Sequence, residues 1–353
     1  MPDTAAFARA LPKVQLHCHL EGTVRAATFR ELARRHGVES TRASGPPEET
    51  YAFASFGEFL LTFAEVCKVL KEPDDYARIA RDYVADAAAQ NVRYAEIFIS
   101  PSVWSFFHRD LDIEETVRAM RRALDEEGLR RGLEVNLICD LTRNFGVERA
   151  RATAEQAVAL AEAGLGVVGI GLGGDEANYP ASLFRESYSY ARAHGLHCVA
   201  HAGEADGAQS VRDAVDTLRV ERIGHGIRAL EDSALVAELA ERRIALEICP
   251  TSNRLTGAVG ADELHPIAAL DAAGVVCTLD ADDPALFSTT ISDEYALVAA
   301  WLGEDAVVRF ARNGIEVSFA SAHRKVELRA GLDATLAARR RLSTETSATR
   351  RMM

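Results

Sequence analysis

The sequence predicts an α/β fold, a (β/α)8 TIM barrel with a helical insertion after the first strand. Eight short apolar runs rich in valine, isoleucine and leucine alternate with helical patterns along the chain, as expected of parallel strands covered on both faces. Histidines and acidic residues recur where several of these runs end. In a barrel the carboxyl ends of the strands converge on one face, so these side chains are expected to meet there.

The predicted strands are short and are separated by helical patterns or polar turns. They span residues 14–19, 92–99, 133–141, 167–173, 197–202, 222–226, 244–249 and 275–279. An open doubly wound sheet is the alternative, but it usually carries a glycine-rich phosphate loop between a strand and a helix. The glycines of 169–174 lie within a strand and are followed by Asp175 and Glu176, which do not favour a phosphate. The barrel is therefore the prediction.

The connection between the first two strands is unusually long and predicts an insertion. Helices are predicted at 23–35, 56–70 and 73–90. An insertion on the carboxyl side of a barrel strand is a candidate lid over the site. Phe59 and Phe63 lie at helical spacing in the middle helix, which predicts either an ordinary buried helix face or a wall of the pocket.

Several helix ends carry local signals. Asp112 precedes a helical run and has Glu115 three residues on, the pattern of an N-cap. Glycines that follow helical runs suit the left-handed position after a helix, and these are Gly37, Gly128, Gly195 and Gly274. One domain is expected over 1–338, followed by a disordered basic tail over 339–353.

Composition argues against several classes of protein. The chain has 353 residues and a net charge of −13, and only 7% of its residues are aromatic, so nucleic acid is not expected as a partner. Six cysteines form no C-x-x-C pair, which predicts buried, reduced thiols. The chain begins without the pattern of a secretory signal, and no apolar run is long enough to span a bilayer. We expect a cytoplasmic protein that acts on a small molecule and does not contact membranes. The sequence makes no prediction of the oligomeric state.

Four of the side chains at the strand ends form a natural ligand set for a divalent metal. His17 and His19 end the first strand, and strand alternation places both on the same face. His201 lies near the end of the fifth strand, and Asp282 follows the eighth. Three imidazoles and a carboxylate suit zinc, with one position left open for water. We expect one Zn²⁺ per subunit.

Three further residues at these strand ends are candidates for catalysis and binding. Glu204 follows His201 by three residues and is a candidate proton shuttle beside the metal. His225 is either a fourth imidazole ligand or a neighbour that orients and stabilises the attacking hydroxide, and the second role is favoured. Asp283 is a candidate to bind a substrate nitrogen and also a candidate N-cap of a helix that would begin at Pro284, and the two roles are compatible.

Seven short stretches of the sequence form a combined pattern. They are Leu-His-Cys-His-Leu-Glu-Gly at 16–22, Gly-Gly-Asp-Glu at 173–176, His-Ala-Gly-Glu at 201–204, Arg-Ile-Gly-His-Gly at 222–226, Cys-Pro-Thr-Ser-Asn at 249–253, Asp-Asp-Pro at 282–284 and Asn-Gly-Ile-Glu-Val-Ser-Phe at 313–319. Together they resemble the adenosine/adenine deaminase family, metal-dependent barrel deaminases of the amidohydrolase type. The resemblance covers most of the chain, from about residue 11 to residue 330, and the combination is specific, although His-x-His alone indicates only an amidohydrolase.

The resemblance implies hydrolytic removal of the 6-amino group of a 6-aminopurine as ammonia, which leaves a 6-oxopurine. The four predicted ligands would hold zinc, and Asp282 would also count among the catalytic residues. Glu204 would protonate N1 of the purine, and His225 would stabilise the hydroxide that attacks C6. Asp283 would bind N7, and the backbone N–H of Gly174 would bind N3.

The resemblance leaves the substrate open among 6-aminodeoxyfutalosine, a nucleoside of menaquinone biosynthesis, adenosine and adenine. Adenosine deaminases usually have aspartate where this chain has Glu21, at a position that meets the ribose, and many adenine deaminases have glutamate. The end of the second strand, 96–101, matches neither enzyme, whereas 173–176 favours a nucleoside. We expect 6-aminodeoxyfutalosine ahead of adenosine, with adenine third, and contacts to the substrate from Glu21, Phe59 and Phe63.

Two other classes of protein remain open from the sequence. A metal-dependent hydrolase of amides or esters would use the same ligands, but it would not need Asp283 and Glu204 placed to read a purine edge. A non-catalytic relative that acts as a binding module would normally have lost a ligand or the acid, and none is lost here.

Overall fold

Eight parallel strands form one barrel-shaped sheet in the order of the chain, from β1 to β8. In this computed structural model the strands are β1 Lys13–Gln15, β2 Val92–Ile99, β3 Glu134–Thr142, β4 Val167–Gly173, β5 His197–Ala202, β6 Arg222–His225, β7 Ala245–Ile248 and β8 Cys277–Leu279. Every one of them overlaps a predicted run, and helices connect successive strands. The predicted (β/α)8 TIM barrel is confirmed.

Helices surround the sheet and carry the chain between its strands. The structure describes residues 4–46 and 49–352, and for 342–352 only the backbone. The α-helices of this part are α1 Thr4–Ala10, α2 Ala26–Arg35, α3 Thr41–Ser44, α4 Phe56–Val69, α5 Pro73–Ala89, α6 Pro101–Phe107, α7 Ile113–Arg131, α8 Gly146–Glu162, α9 Arg185–Ala193, α10 Ala208–Asp213, α11 Ser233–Arg242, α12 Pro250–Leu255, α13 Ile267–Ala272, α14 Ile291–Leu302, α15 Glu304–Val317 and α16 Ala322–Met352.

The barrel closes where the ends of its first and last strands meet. The backbone N–H of His19 donates to the carbonyl of Asp282 at 3.0 Å, and the N–H of Asp282 donates to the carbonyl of His17 at 3.1 Å. The regular ladder of β1 is shorter than predicted, since a carboxylate oxygen of Asp280 accepts the N–H groups of Leu16 and His17 at 2.6 and 3.0 Å. His17 and His19 therefore lie at the junction of β1 and β8.

The interior of the barrel is a packed core rather than a channel. Phe98, Ile138 and Val199, from three different strands, form a buried cluster inside it. Phe319 packs against this cluster from the amino-terminal side, where its ring lies 3.9 Å from the guanidinium carbon of Arg222. This packing leaves the carboxyl-terminal end of the barrel for a site.

The insertion lies between β1 and β2 as predicted. Its helices α2, α4 and α5 begin and end within three residues of the predicted bounds. The last helix, α16, extends across 339–352, for which the sequence predicts a disordered tail. That disorder and the domain boundary at 338 stay predictions.

Helix ends agree with the sequence except at one glycine. Asp112 caps α7, because its carboxylate accepts the N–H of Glu115 at 3.0 Å. The prediction that Gly128 follows a helix is wrong: α7 continues to Gly132, which has φ 70°. A Cβ at 128 would overlap the carbonyl of Leu133, so this glycine permits close packing. The other glycines predicted to follow helices have positive φ, namely Gly37, Gly195 and Gly274.

The structure also bears on the cysteines and on segments that could span a membrane. All six cysteines are free and buried, as predicted. Within the described ranges, no helix combines the length and the hydropathy that crossing a membrane requires.

Candidate active site

Four side chains converge at the carboxyl end of the barrel into a cluster able to bind a metal ion. The ligand atoms of His17, His19, His201 and Asp282 lie within 4.8 Å of one another, and all four residues are buried. The Nε2 atoms of His19 and His201 are 3.1 Å apart, and Asp282 Oδ1 lies 3.3 Å from Nε2 of His17. The predicted ligand set is thus brought together by β5 and the junction of β1 with β8.

In two of these imidazoles the Nδ1 atom forms a hydrogen bond with another part of the protein, which fixes the orientation of the ring. Nδ1 of His17 lies 2.9 Å from a carboxylate oxygen of Glu247, and Nδ1 of His201 lies 3.1 Å from the carbonyl of Leu172. Nε2 of His17 is buried without a hydrogen-bond partner. Partners of this kind orient a ligating histidine, so the donor set fits a divalent ion such as zinc.

The charges of the cluster also suit a cation. Burial lowers the pKa of His19 to about 4 and that of His201 well below its ordinary value, so these imidazoles are neutral, as a metal ligand must be. Burial would raise the pKa of Asp282, but the close contact with the imidazole of His17, whose Nε2 lies 3.3 Å from Oδ1, holds that pKa well below the usual range. Asp282 therefore brings a negative charge to the cluster.

Two residues of the site adopt a left-handed backbone conformation. Asp282 has φ 60° and His225 has φ 61°, which is uncommon outside glycine and is found preferentially at functional sites. The side chain of Asp282 is held by Ser252, whose hydroxyl donates to Oδ2 at 2.6 Å. These turns direct the residues after β8 and at the end of β6 towards the metal-binding cluster of side chains.

The loop after β5 positions Glu204 beside the cluster. Glu176 lies beneath this loop, and one of its carboxylate oxygens accepts the N–H of Gly203 at 2.5 Å. The other oxygen accepts the N–H groups of Glu204, Ala205 and Asp206 at 3.1, 2.7 and 3.2 Å. Burial, followed by the charge of Asp282 nearby, raises the pKa of Glu204 well above its ordinary value. Glu204 is thus a proton-carrying side chain on an anchored loop.

His225 adjoins the cluster and faces two carboxylates. Its Nδ1 lies 3.0 Å from the side-chain amide nitrogen of Asn253 on α12. That amide donates a hydrogen bond, so Nδ1 accepts and Nε2 carries the hydrogen. Nε2 lies 3.5 Å from Glu204 and 3.9 Å from Asp282. Burial lowers the pKa of His225 to about 3, so the ring is neutral.

A cavity of about 410 Å³ opens above the cluster. His19, His201 and Asp282 lie at its floor, together with Glu204 and His225. The predicted substrate-binding residues that line it are Asp283, Gly174, Phe59 and Phe63.

The outer wall of the cavity is strongly aromatic. Phe59 both lines the cavity and stacks on Phe287 with centroids 5.0 Å apart, so the two interpretations of this helix face hold together. Phe63 meets the ring of His19 edge-on at 6.0 Å. The insertion helix α4 and the residues after β2 and β3 contribute this wall, which contains Phe56, Phe59, Phe63, Phe106, Phe107 and Phe145.

Glu21 is the one predicted substrate contact that the structure does not bring to the cavity. Its side chain is fully buried, and Oε1 accepts the N–H of Ser100 at 2.9 Å and the indole N–H of Trp104 at 2.6 Å. Burial raises the pKa of Glu21 to about 7. This glutamate therefore ties the turn after β1 to the start of α6, behind the cavity wall.

Three acidic residues near the site were not predicted. Glu247 orients His17, Glu176 anchors the Glu204 loop, and Asp140 lines the cavity. A signal for two of them exists, since Glu247 and Asp140 interrupt apolar strand runs, where an acid is rarely buried without a purpose. Glu176 lies in a stretch that carried the resemblance, but its role depends on a contact 28 residues away along the chain.

The barrel, the metal-binding cluster and the buried acid beside it define a metal-dependent hydrolase. Comparison with known proteins agrees. Residues 12–335 match the family model described as adenosine deaminase. The chain is 37% identical over 341 residues to aminodeoxyfutalosine deaminase of Streptomyces coelicolor, and the alignment covers 95% of this chain and 87% of that protein. It is also 37% identical over 312 residues to adenine deaminase of the same organism, and this alignment covers 88% of this chain and 90% of that protein.

A solved structure gives the same result. An amidohydrolase from Burkholderia ambifaria with bound Zn aligns with a TM-score of 0.86 at 30% sequence identity, and the alignment covers 96% of this chain and 95% of that chain. The chain belongs to the adenosine deaminase family. The predicted class, a hydrolytic aminohydrolase with a metal-binding site, is confirmed.

Proposed function

We propose that this enzyme removes the 6-amino group of a 6-aminopurine nucleoside by hydrolysis, with one zinc ion per subunit, and releases ammonia and the 6-oxopurine. The observation that carries the proposal is the meeting of the metal-binding cluster, Glu204 and Asp283 in one cavity. An amide or ester hydrolase would need the cluster but not a second buried carboxyl group at the cavity wall. Similarity to deaminases named for three different 6-aminopurine substrates supports the same reaction.

The proton-transfer residues follow from the geometry of the site. His17, His19, His201 and Asp282 would hold the zinc ion, which would supply activation of water at neutral pH. Glu204 delivers a proton to N1 of the purine, which makes C6 more electrophilic. His225 directs its Nε2–H towards the attacking oxygen, because Asn253 occupies its other nitrogen.

The purine is oriented by groups on the opposite sides of the cavity. Asp283 packs over Gly22, where a Cβ would overlap its carboxyl group, and Oδ1 of Asp283 has no partner within the protein. Burial and the charge of Asp282 raise the pKa of Asp283 well above its ordinary value, so its carboxyl group holds a proton that it can donate to N7 of the purine, which is an acceptor. The backbone at Gly174, with φ 98°, presents its N–H for N3. The Glu204 carboxylate, having given its proton to N1, takes one proton from the attacking water. As the tetrahedral adduct collapses, its hydroxyl proton passes to the amino group, which leaves as ammonia, and the 6-oxopurine remains with the proton on N1.

The size and lining of the cavity favour a nucleoside over a free base. Its volume of about 410 Å³ falls in the range of sites for drug-sized ligands, about 300–1,000 Å³, and exceeds what a bare purine fills. The aromatic wall formed by α4 and α6 gives an apolar surface for a modified 5′ end. We therefore rank 6-aminodeoxyfutalosine first, adenosine second and adenine third.

Ammonia release by the zinc-loaded enzyme tests the proposal. Adenosine, adenine and 6-aminodeoxyfutalosine are compared at equal concentration, with Glu204→Gln as the inactive control. Release from at least one purine, abolished in the variant, supports the reaction, and the preference identifies the substrate. Zinc binding without release from any of the three would refute it.

A further inference from the structure

Asp140 is a buried carboxylate at the cavity that the proposed mechanism does not use. It lies on β3, its exposed fraction is 5%, and it is among the residues that line the cavity. Its Oδ1 atom is buried without a hydrogen-bond partner in the protein. Most buried polar atoms in folded proteins have a partner, so this oxygen calls for an explanation.

The neighbouring strand is shaped to admit this carboxylate. Asp140 pairs with Gly171 in the ladder of β3 with β4, and a Cβ at 171 would lie 2.6 Å from Oδ1. A Cβ at Gly173, two residues on and on the same face, would overlap Oδ2. Two glycines therefore leave space on β4 that the carboxylate of Asp140 occupies, and any side chain at either position would displace it.

Stability of the fold does not account for Asp140. The guanidinium group of Arg143 donates instead to the carbonyls of Tyr179 and His201, at 2.7 and 2.5 Å. Burial, assisted by the charge of Glu21, raises the pKa of Asp140 to about 8, which shows that the site disfavours its anion. A buried acid without a partner destabilises a protein, and groups of this kind cluster at functional sites.

The position of Asp140 indicates which part of a ligand it meets. Gly173, over which its Oδ2 lies, directly precedes Gly174, the residue assigned above to N3 of the purine. Thr142 and Asn144, which follow Asp140 on the same strand and its loop, line the cavity as well. A backbone donor and a carboxyl acceptor thus lie side by side in the lining of the cavity.

We propose that Asp140 is a substrate-binding residue that accepts a hydrogen bond from an N–H or O–H group next to N3 of the bound purine. The inference rests on the proposed function, because N3 defines the edge. Two groups of a purine nucleoside supply such a donor there: an amino group at ring position 2 and a hydroxyl group of the sugar. Together with the N–H of Gly174, Asp140 would read this edge through a donor and acceptor pair.

Binding of 6-oxopurine products tests this without relying on turnover. Inosine, guanosine and 2′,3′-dideoxyinosine are titrated calorimetrically into the zinc-loaded wild type, Asp140→Ala and Asp140→Asn. We expect Asp140→Ala to weaken the preferred ligand about threefold to tenfold, as for loss of one hydrogen bond between neutral groups. Asp140→Asn keeps an acceptor oxygen and should restore part of the affinity. A loss confined to guanosine identifies the amino group, and an equal loss for inosine and guanosine that dideoxyinosine escapes identifies a sugar hydroxyl.

A matched control separates binding from packing. Cys139 is the adjacent residue of β3, buried and outside the cavity lining, so Cys139→Ala should lower the thermal unfolding midpoint and leave all three affinities within about twofold. Equal affinities of wild type and Asp140→Ala for every ligand would overturn the inference. If the thermal unfolding midpoint of that variant were also higher than that of the wild type, Asp140 would be a destabilising buried acid without a role in binding. Failure of the proposed function has a different signature, since it appears in the wild type as absence of ammonia release, whatever Asp140 does to binding.

Discussion

The surroundings of Glu204 give this side chain the properties that the proposed proton transfer requires. Its exposed fraction is 7%, and its pKa is raised by burial and by the charge of Asp282. The acid therefore holds its proton at a pH where an exposed glutamate is an anion, which is the condition a general acid needs. Because it lies outside the ligand set, its chemistry can be removed without removing the metal site.

We expect Glu204→Gln to keep the metal and to lose most of the activity. Removal of a general acid typically lowers kcat by about 10²–10⁴-fold, and the amide retains the shape of the side chain. Elemental analysis gives the metal content, and ammonia release gives kcat. Glu241→Gln, on the surface at the end of α11, serves as the control and should match the wild type. Loss of metal in the Glu204 variant would contradict the assigned role.

His265 provides a pH-dependent contribution to stability. It stacks near Trp301 with centroids 5.6 Å apart, and Nδ1 accepts the N–H of Ile267 at 3.2 Å. Burial lowers its pKa to about 4, below the unfolded value of about 6.5. The native state therefore binds fewer protons than the unfolded state between these values. The stabilisation is fully present above the unfolded pKa and is lost as the pH falls through the folded pKa.

We expect His265→Asn, which retains an acceptor for Ile267, to reduce this acid sensitivity. Between pH 7 and pH 4.5 the wild type should lose about 2 kcal/mol more free energy of unfolding than the variant. Urea unfolding at the two pH values measures the difference. His323→Asn is the control, because the side chain of His323 is 85% exposed. Equal losses in wild type and His265→Asn would refute the assignment.

At the scale of elements, the loop after β5 depends on Glu176 at the end of β4. A single carboxylate accepts four consecutive backbone N–H groups, from Gly203 to Asp206, and the hydroxyl of Ser210 at 2.5 Å. The charge on this carboxylate favours all of these bonds at once. The loop geometry that places Glu204 is thus fixed by an acid that belongs to the preceding β/α unit.

We expect Glu176→Gln to impair catalysis through the loop rather than through the metal. The amide keeps one acceptor oxygen but loses the charge and places a donor against backbone donors. A displacement of Glu204 by about 1 Å should lower kcat/KM about 10²-fold, while metal content stays at the wild-type level. Crystallography or amide hydrogen exchange of 203–206 reports the loop directly. Wild-type kcat/KM with altered exchange would show that the loop tolerates movement, against this prediction.

Where local pattern determines the outcome, the sequence predicted the strands and helices and the convergence of the four candidate ligands. Short apolar runs locate all eight strands, and alternation places His17 beside His19. Contacts between distant segments were not predictable from pattern. Glu21 was expected at the sugar, but Ser100 and Trp104 bind it behind the wall. The left-handed conformations of Asp282 and His225 likewise follow from barrel closure and not from residue type.

At the scale of the whole molecule, a buried network links the amino-terminal end of the barrel to the metal-binding cluster of side chains. Arg222 donates to Glu96 and to Glu247, each at 2.6 Å, and Glu247 holds Nδ1 of His17. Arg222 also donates to the carbonyl of Val317 at 3.1 Å. One guanidinium group therefore joins strands β2, β6 and β7 and the end of α15. Through Glu247 it also reaches His17, so the orientation of a proposed metal ligand depends on residues at the opposite end of the barrel.

We expect Arg222→Met to weaken both the fold and the metal site, because it leaves Glu96 and Glu247 as buried carboxylates without a cation. Breaking a buried charge pair typically lowers stability by about 3–5 kcal/mol, and loss of an outer partner weakens metal binding about 10–100-fold. Thermal unfolding of the metal-free protein and competition with a zinc chelator measure the two effects separately. Arg78→Met, which breaks an exposed pair with Glu31, is the matched control and should change stability by less than about 1 kcal/mol. A variant that is destabilised but keeps wild-type zinc affinity would show that Glu247 orients His17 without help from Arg222, and the network would then be purely structural.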